Sequence, residues 1–288
     1  MFTYSAYNLG ISSELPLQEF IPAGWGGDII VRVSQTIQTD EAKFQINDQE
    51  AVVNVINVGR FIVRCGREII VYPHLNGDSE LIRRFIVGTI MGIALYQRGN
   101  LVVHASSIQT SKGAIAFIGN VGMGKSTMAL AMVSKGYNFI TDDVCAIEEL
   151  NGVYYIIPSY PLVKVSQEVA DNILQNCESL RFVTRYDDKL EYQINDKVVS
   201  APVPVNRIYM LNNQGDGNHE RIDPQIAVLE ILKNSFPTRF GHPGDKAHFL
   251  QCVELVRTTP IFNLKRANSI GDLSDTTRLI EEHMLKDY

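Results

Sequence analysis

The sequence predicts an α/β protein with a smaller β-rich domain at its N-terminus. Three observations carry that expectation. Residues 119–127 read Gly-Asn-Val-Gly-Met-Gly-Lys-Ser-Thr, a match to the phosphate-loop pattern G-x-x-x-x-G-K-[ST]. An apolar, partly β-branched run at 114–118 precedes this loop, and a stretch of good helix formers at 126–135 follows it. Before residue 77 the chain is instead a series of short β-rich runs divided by turn formers, so the expected domains are 1–76 and 77–288.

In the N-terminal part, residues 28–33, 43–46, 51–55, 59–64 and 68–72 read as strands of a small antiparallel domain. Gly26-Gly27, Asn47-Asp48, Asn57 with Gly59, and Gly66 mark the turns. Ser79 is placed to cap a helix that runs to about Arg98, with the stripe Phe85, Gly88, Gly92 and Leu95 as its core face. Residues 101–108 and 113–118 read as strands, the second leading into the glycine loop. Gly136 stands where a helix C-terminal glycine belongs. Strands at 138–141, 144–148 and 153–157 follow, then a helix at 166–177 and a strand at 203–211. Residues 212–218 read as a polar loop, 225–233 as a helix, and 236–245 as a mobile loop or lid. Helices at 248–256 and 274–285 close the chain.

Composition narrows the class. With 288 residues, 45% hydrophobic and 20% charged, the chain has room for one large or two modest domains. A net charge of −6 predicts no nucleic-acid partner. The N-terminus lacks a basic segment followed by an apolar core, and the longest apolar run, 85–95, falls short of the ~20 residues that span a bilayer. Neither a secretory signal nor a membrane span is expected. Cys65, Cys145, Cys177 and Cys252 are scattered, with no C-x-x-C, which points to reduced thiols, a cytoplasmic protein and no structural zinc.

The chemistry rests on the loop and on two acids behind it. Four fixed positions match by chance in roughly one chain per hundred of this length, so the flanking strand and helix decide the matter. In such a loop the glycines let backbone N–H groups turn inward around phosphates at a helix N-terminus. Gly119, Asn120, Val121, Gly122, Met123, Gly124, Lys125, Ser126 and Thr127 are therefore expected to hold a polyphosphate, with Lys125 reaching its β- and γ-phosphates and Ser126 on Mg2+. Asp142-Asp143 follow Lys125 by 17 and 18 positions. A ten-residue helix runs about 15 Å, and four or five strand residues bring the chain back roughly the same distance. Both carboxylates then arrive beside the loop. One can complete the Mg2+ shell, with Asp143 beside Ser126 as the candidate pair, while the other takes a proton from an incoming hydroxyl; the sequence does not decide between them. No later strand ends in Asp as cleanly, which separates this chain from motor-type ATPases.

Arg239 is the first candidate for a cation on the transferring phosphoryl group, with Arg207, Lys164 and Arg257 as rivals. His242 and His248, six apart, do not read as metal ligands. Trp25, flanked by glycines, reads as a packing residue, with peptide docking as the alternative.

His104, fifteen residues before Gly119, the loop 119–127 and Asp142-Asp143 together resemble HPr kinase/phosphorylase-type kinases, which are related in fold to phosphoenolpyruvate carboxykinase. The wider pattern around Val102-Val103-His104-Ala105-Ser106-Ser107 and Thr141-Asp142-Asp143-Val144, with the opening Tyr4 to Leu17, is similar to a subgroup that phosphorylates a C-terminal serine of lasso-type precursor peptides. The resemblance implies an HPr kinase-like catalytic domain in which His104 sits beside the transferring phosphoryl group. It implies that one of Asp142 and Asp143 is the base and the other its metal-linked partner. The bifunctional enzymes' Arg-Gly-Leu-Gly segment and Arg-Asn stretch are absent, so HPr as substrate and the phosphorylase activity do not carry over. The expected function is an ATP- and Mg2+-dependent serine kinase acting on a peptide. A small-molecule kinase or NTP hydrolase on the same site is one alternative, and a nucleotide-regulated peptide-binding module is another.

Overall fold

The chain opens with a hairpin that the sequence reading did not find. Strands β1 (Phe2–Ala6) and β2 (Leu9–Ser13) pair antiparallel around Tyr7 and Asn8, both in the left-handed region at φ 54° and 60°. A turn with two positive φ values matches the twist of its strands, but it is usually signalled by Asn-Gly rather than Tyr-Asn. The computed structural model describes residues 1–38, 41–173, 180–186, 189–212, 218–242, 244–265 and 273–285. These form two units, one of residues 1–102 and 235–249, the other of 103–234 and 250–288. Both mix helices and sheet.

In the first unit β3 (Ile21–Pro22), β4 (Ile29–Val33), β5 (Lys43–Ile46), β6 (Glu50–Val55), β7 (Gly59–Arg64) and β8 (Glu68–Pro73) join the hairpin in one sheet. Its order is β3-β1-β2-β4-β8-β7-β6-β5, antiparallel except where β4 meets β2 and β8. Alternation sets the buried face: Ala51, Val53, Phe61, Val63, Ile69 and Val71 are all inside. Helices α1 (Ser79–Phe85) and α2 (Met91–Gln97) are joined by a π turn, Ile86–Ile90. Asp78, not Ser79, is the cap, accepting from the Glu80 N–H at 2.8 Å. The helices therefore belong to this unit's fold, as does the later segment 235–249.

The second unit begins at the end of β9 (Leu101–Val103). Where the sequence predicts one strand over 101–108, the chain bends at His104 and resumes as β10 (Ala105–Thr110). β11 (Gly113–Ile118) is buried along its whole length and runs into the glycine loop, then α3 (Lys125–Ser134). β12 (Asn138–Thr141), β13 (Cys145–Leu150) and β14 (Val153–Ile156) follow as expected. Next come β15 (Leu162–Ser166), α4 (Gln167–Ile173), β16 (Leu180–Tyr186) and β17 (Lys189–Ile194). The remainder of the helix expected at 166–177, Cys177 included, lies outside the described residues.

β18 (Val203–Asn212) returns through the middle of the main sheet, whose order from one edge is β12-β10-β11-β18-β14-β13. β19 (Asn218–Arg221) precedes α5 (Pro224–Lys233), which Asp223 caps; most of the expected polar loop before β19 is outside the described residues. The segment expected as a mobile loop contains α6 (Phe236–Arg239), with Phe236 and Pro237 buried. α7 (Lys246–Thr258), β20 (Ile261–Lys265) and α8 (Leu273–Met284) end the chain, β20 lying parallel to β18. α3 is apolar nearly all round because it is enclosed: Met128, Leu130, Met132 and Val133 share a core with Ile115, Phe117, Val163, Leu190 and Ile280. Among the described residues no helix is long and apolar enough to cross a membrane.

Candidate functional site

The glycine loop is held open by its own backbone. Gly122 and Gly124 have φ of 83° and 81°, conformations in which any Cβ would be strained. Gly124 is the N-cap of α3 and supplies no side-chain cap to the first helical N–H groups. Lys125 folds back across the loop and donates to the carbonyls of Gly119 at 2.8 Å and Asn120 at 3.1 Å. Thr127 lies one residue beyond Ser126 in the first turn of α3, and Val121 stands exposed at the loop tip.

Asp142 and Asp143 directly follow β12 and reach the same place in different states. Asp143 has a φ of 70°, a left-handed conformation that Asp tolerates better than most residues. The Val144 N–H donates to the Asp142 carbonyl at 2.9 Å and Thr141 Oγ1 to the Val144 carbonyl at 2.8 Å, which lock the turn. Asp142 points inward and is buried. Its Oδ1 accepts from Ser126 Oγ at 2.9 Å and from Ser106 Oγ, and its Oδ2 faces the Lys164 N–H at 3.4 Å. Burial pushes the Asp142 carboxyl above the usual carboxylate range; the hydroxyls of Ser106 and Ser126 and the Lys164 N–H pull against this, and the charge of Asp143 adds to it.

Asp143 keeps a partly exposed carboxylate, whose Oδ1 lies 2.8 Å from His104 Nδ1. The same ring nitrogen is 3.0 Å from the Asp143 carbonyl, and the His104 N–H donates to the Asn234 carbonyl at 2.9 Å. The bend that interrupts the expected strand is thus what aims His104 at Asp143.

One cavity of about 250 Å³ gathers these groups: His104, Lys125, Ser126, Thr127, Asp142 and Asp143, with Lys164, Ser166 and Lys189 opposite. A second cavity of about 510 Å³ opens on the other flank of the loop, at Asn120 and Met123. Its walls are Met210, Leu211 and Asn212 at the end of β18, Glu220 to Asp223, Ile226 and Glu230 of α5, and Asn263. The loop is the partition between the two.

Of the sequence-selected residues, His104, Val121, Gly122, Gly124, Lys125, Ser126, Thr127, Asp142 and Asp143 line this cavity, while Asn120 and Met123 line the second. Arg239 lies in the first unit, its guanidinium carbon 5.8 Å from the Phe236 ring centre. Ser126 touches Asp142, whereas the sequence reading paired it with Asp143. Ser106 was missed, although its place two residues after His104 on a strand would have put it on the same side. Lys189 and Glu191 were missed because β17 was not recognised. Among the described residues no cluster of three or more His, Cys, Asp or Glu forms a metal cage. Mg2+ bound with phosphates needs only one or two protein oxygens, and Ser126 Oγ with Asp142 Oδ1 are hard donors that fit.

The described chain is thus a mixed α/β protein whose glycine loop faces an aspartate pair. No family model matches it, and no curated protein matches its sequence. Among solved structures it is similar to the HPr(Ser) kinase/phosphatase from Coxiella burnetii, at 14% identity and a TM-score of 0.35, covering 64% of this chain and 90% of that one.

Proposed function

We propose that the chain is an ATP- and Mg2+-dependent kinase that transfers the γ-phosphoryl group to a serine hydroxyl of a peptide, the C-terminal serine of a lasso-type precursor. The observation that carries the kinase reading is the division of labour in the aspartate pair. Asp142 is buried against Ser126 of the loop, while Asp143 is open to solvent and held by His104. The peptide and its C-terminal serine rest on the sequence resemblance.

This geometry favours Asp142, in place of Asp143, as the carboxylate that holds the metal with Ser126. Bound there, Mg2+ would offset charge on the phosphate oxygens. Asp143 is then the base. It takes the serine proton as the oxygen attacks, and His104 keeps its carboxylate aimed at the cavity. Loop N–H groups and Lys125 hold the phosphates, and positioning of this kind supplies most of what phosphoryl transfer requires. The nucleoside is assigned to the larger cavity, whose apolar walls suit a base and whose Asn and acidic groups suit ribose hydroxyls.

The test is incubation with γ-labelled ATP, Mg2+ and peptides ending in serine or alanine, with Lys125→Ala as control. Label on the serine peptides alone, lost in the variant, is the expected result. ATP consumed without peptide labelling would move the acceptor to a small molecule or water, and no consumption would leave a binding module.

A further inference from the structure

Transfer of a phosphoryl group places charge on oxygens that a preset cation can stabilise more in the transition state than before it. Four cations are candidates from the sequence, and the fold separates them. Arg207 is buried and donates to Asn206 Oδ1 at 2.8 Å and to the His283 carbonyl at 2.9 Å. Arg257 is exposed and paired with Glu254 on the same helix. Arg239 belongs to the first unit. Lys164 alone of the four lines the cavity that holds Asp142 and Asp143.

Its setting is built rather than incidental. In the three-stranded sheet β15-β17-β16, Lys164 pairs opposite Glu191 and Ser166 opposite Lys189. These four share one face, because opposite residues and alternate residues do. Val163, Val165 and Leu190 occupy the other face and sit in the core, which fixes the register. Glu191 is 3% exposed, and its Oε1 lies 3.8 Å from Lys164 Nζ. A buried carboxylate needs a counter-charge. At this separation the attraction directs the ammonium without a hydrogen bond that would occupy its protons. The Lys164 backbone N–H meanwhile faces Asp142.

We propose that Lys164 is the catalytic cation of this site and that Glu191 is the residue that positions it. The inference rests on the kinase reading above. The acceptor oxygen bonds to the γ-phosphorus as the β,γ-bridging P–O bond breaks. The bond's electron pair leaves with ADP and the acceptor proton goes to Asp143. Lys164 keeps its protons throughout and stabilises the phosphoryl oxygens in transit. Lys189, exposed on the same face, is an outer cation of smaller effect.

The test compares the full chain with Lys164→Met, Lys164→Arg, Glu191→Gln and Lys189→Ala. Two readouts are used: steady-state turnover of ATP with the serine-ending peptide, and calorimetric affinity for Mg·ADP with and without aluminium fluoride, a stand-in for the phosphoryl in transit. For Lys164→Met, kcat is expected to fall about 100- to 1,000-fold, as for loss of one preset transition-state donor. Affinity for Mg·ADP should stay within about threefold, while the gain from fluoride is lost. Lys164→Arg should recover part of both, and covers the case in which the methionine variant does not fold. Glu191→Gln should lower kcat roughly tenfold and weaken only the fluoride complex; a merely structural glutamate would move melting temperature and leave that gain intact. Lys189→Ala should cost less than tenfold. Wild-type turnover and fluoride gain in Lys164→Met, or a wild type that binds Mg·ADP but gains nothing from fluoride, would overturn the inference while leaving nucleotide binding in place. A wild type that neither binds Mg·ADP nor consumes ATP would remove the kinase reading and this inference with it.

Discussion

Asp142 shows at the scale of one residue what the site costs the protein. Its carboxylate is buried with two serine hydroxyls for company, and burial raises its pKa above the ordinary value of 3.8. A raised carboxyl binds protons more tightly folded than unfolded, so its contribution to stability falls as pH rises from 3.8 through the folded value. The cost grows with pH across that window. In metal-free protein Asp142→Asn should therefore be more stable at pH 7 by about 1 kcal/mol, a rise in melting temperature of roughly 2–4 °C. The advantage should shrink as the buffer is taken toward pH 4, and ATP turnover should be lost at every pH. Thermal melts of the two proteins across that range are the check; a variant less stable than wild type at pH 7 would show that the serine hydrogen bonds outweigh desolvation. Which aspartate lies inside was not legible in the sequence. The two are neighbours of identical type, and the choice turns on the left-handed φ of Asp143 and on Ser106, 36 positions away.

Elements carried more of the sequence's information. Strand, glycine loop and helix at 113–134 were legible because each signal is local: an apolar run, glycines at fixed offsets, then helix formers. The small sheet of β15, β16 and β17 was not recognised, although Val163 and Val165 alternate with Lys164 and Ser166 as a half-buried strand should. Five residues of alternation are a weak signal until the partner strand, more than twenty residues on, supplies the pairing. Helix α5 was legible, but not that it forms one wall of the larger cavity beside the loop. Ile226 on that wall is half exposed, so replacing it should not cost stability. Ile226→Glu is expected to raise the KM for ATP about tenfold, by placing charge against an apolar base, with kcat and melting temperature little changed. An unchanged KM would put the nucleoside elsewhere.

For the molecule as a whole, the surprise is that residues 235–249 complete the first unit. Phe236 packs on Gly92, where there is no room for a Cβ, Phe240 stacks on Phe44 at 5.1 Å, and His248 meets Tyr96 edge-on at 5.8 Å. A fragment of residues 1–102 should consequently expose an apolar face and aggregate or bind a hydrophobic dye, while the same fragment joined to 235–249 through a flexible linker should not. Equal behaviour of the two in gel filtration and dye binding would contradict the assignment. The same segment gives the protein an acid limit. His248 is buried, its Nε2 is 2.9 Å from Ser235 Oγ, and its Nδ1 has no partner among the described residues. Burial lowers its pKa below 6.5, with Asp245 opposing and His242 adding to the effect. The unfolded chain then binds the proton first, so stability present at neutral pH is lost as pH falls from 6.5 through the folded value. His248→Gln should flatten that part of the melting curve. A wild-type melting temperature equally flat from pH 7.5 to 5 would show that the histidine stays neutral or is compensated.

What the sequence determined by itself was the strand, glycine loop and helix and the arrival of two acids beside that loop. Both follow from short-range constraints: glycine's access to positive φ, the rise of a helix and the rise of a strand. Only the tertiary structure decided which acid is buried, that Ser106 supports it, that Lys164 lines the cavity with Glu191 beside it, and that the chain returns at 235 to finish its first unit. Each of those rests on contacts between residues far apart in the chain, and such contacts are chosen by how the apolar faces of the elements pack rather than by any local pattern.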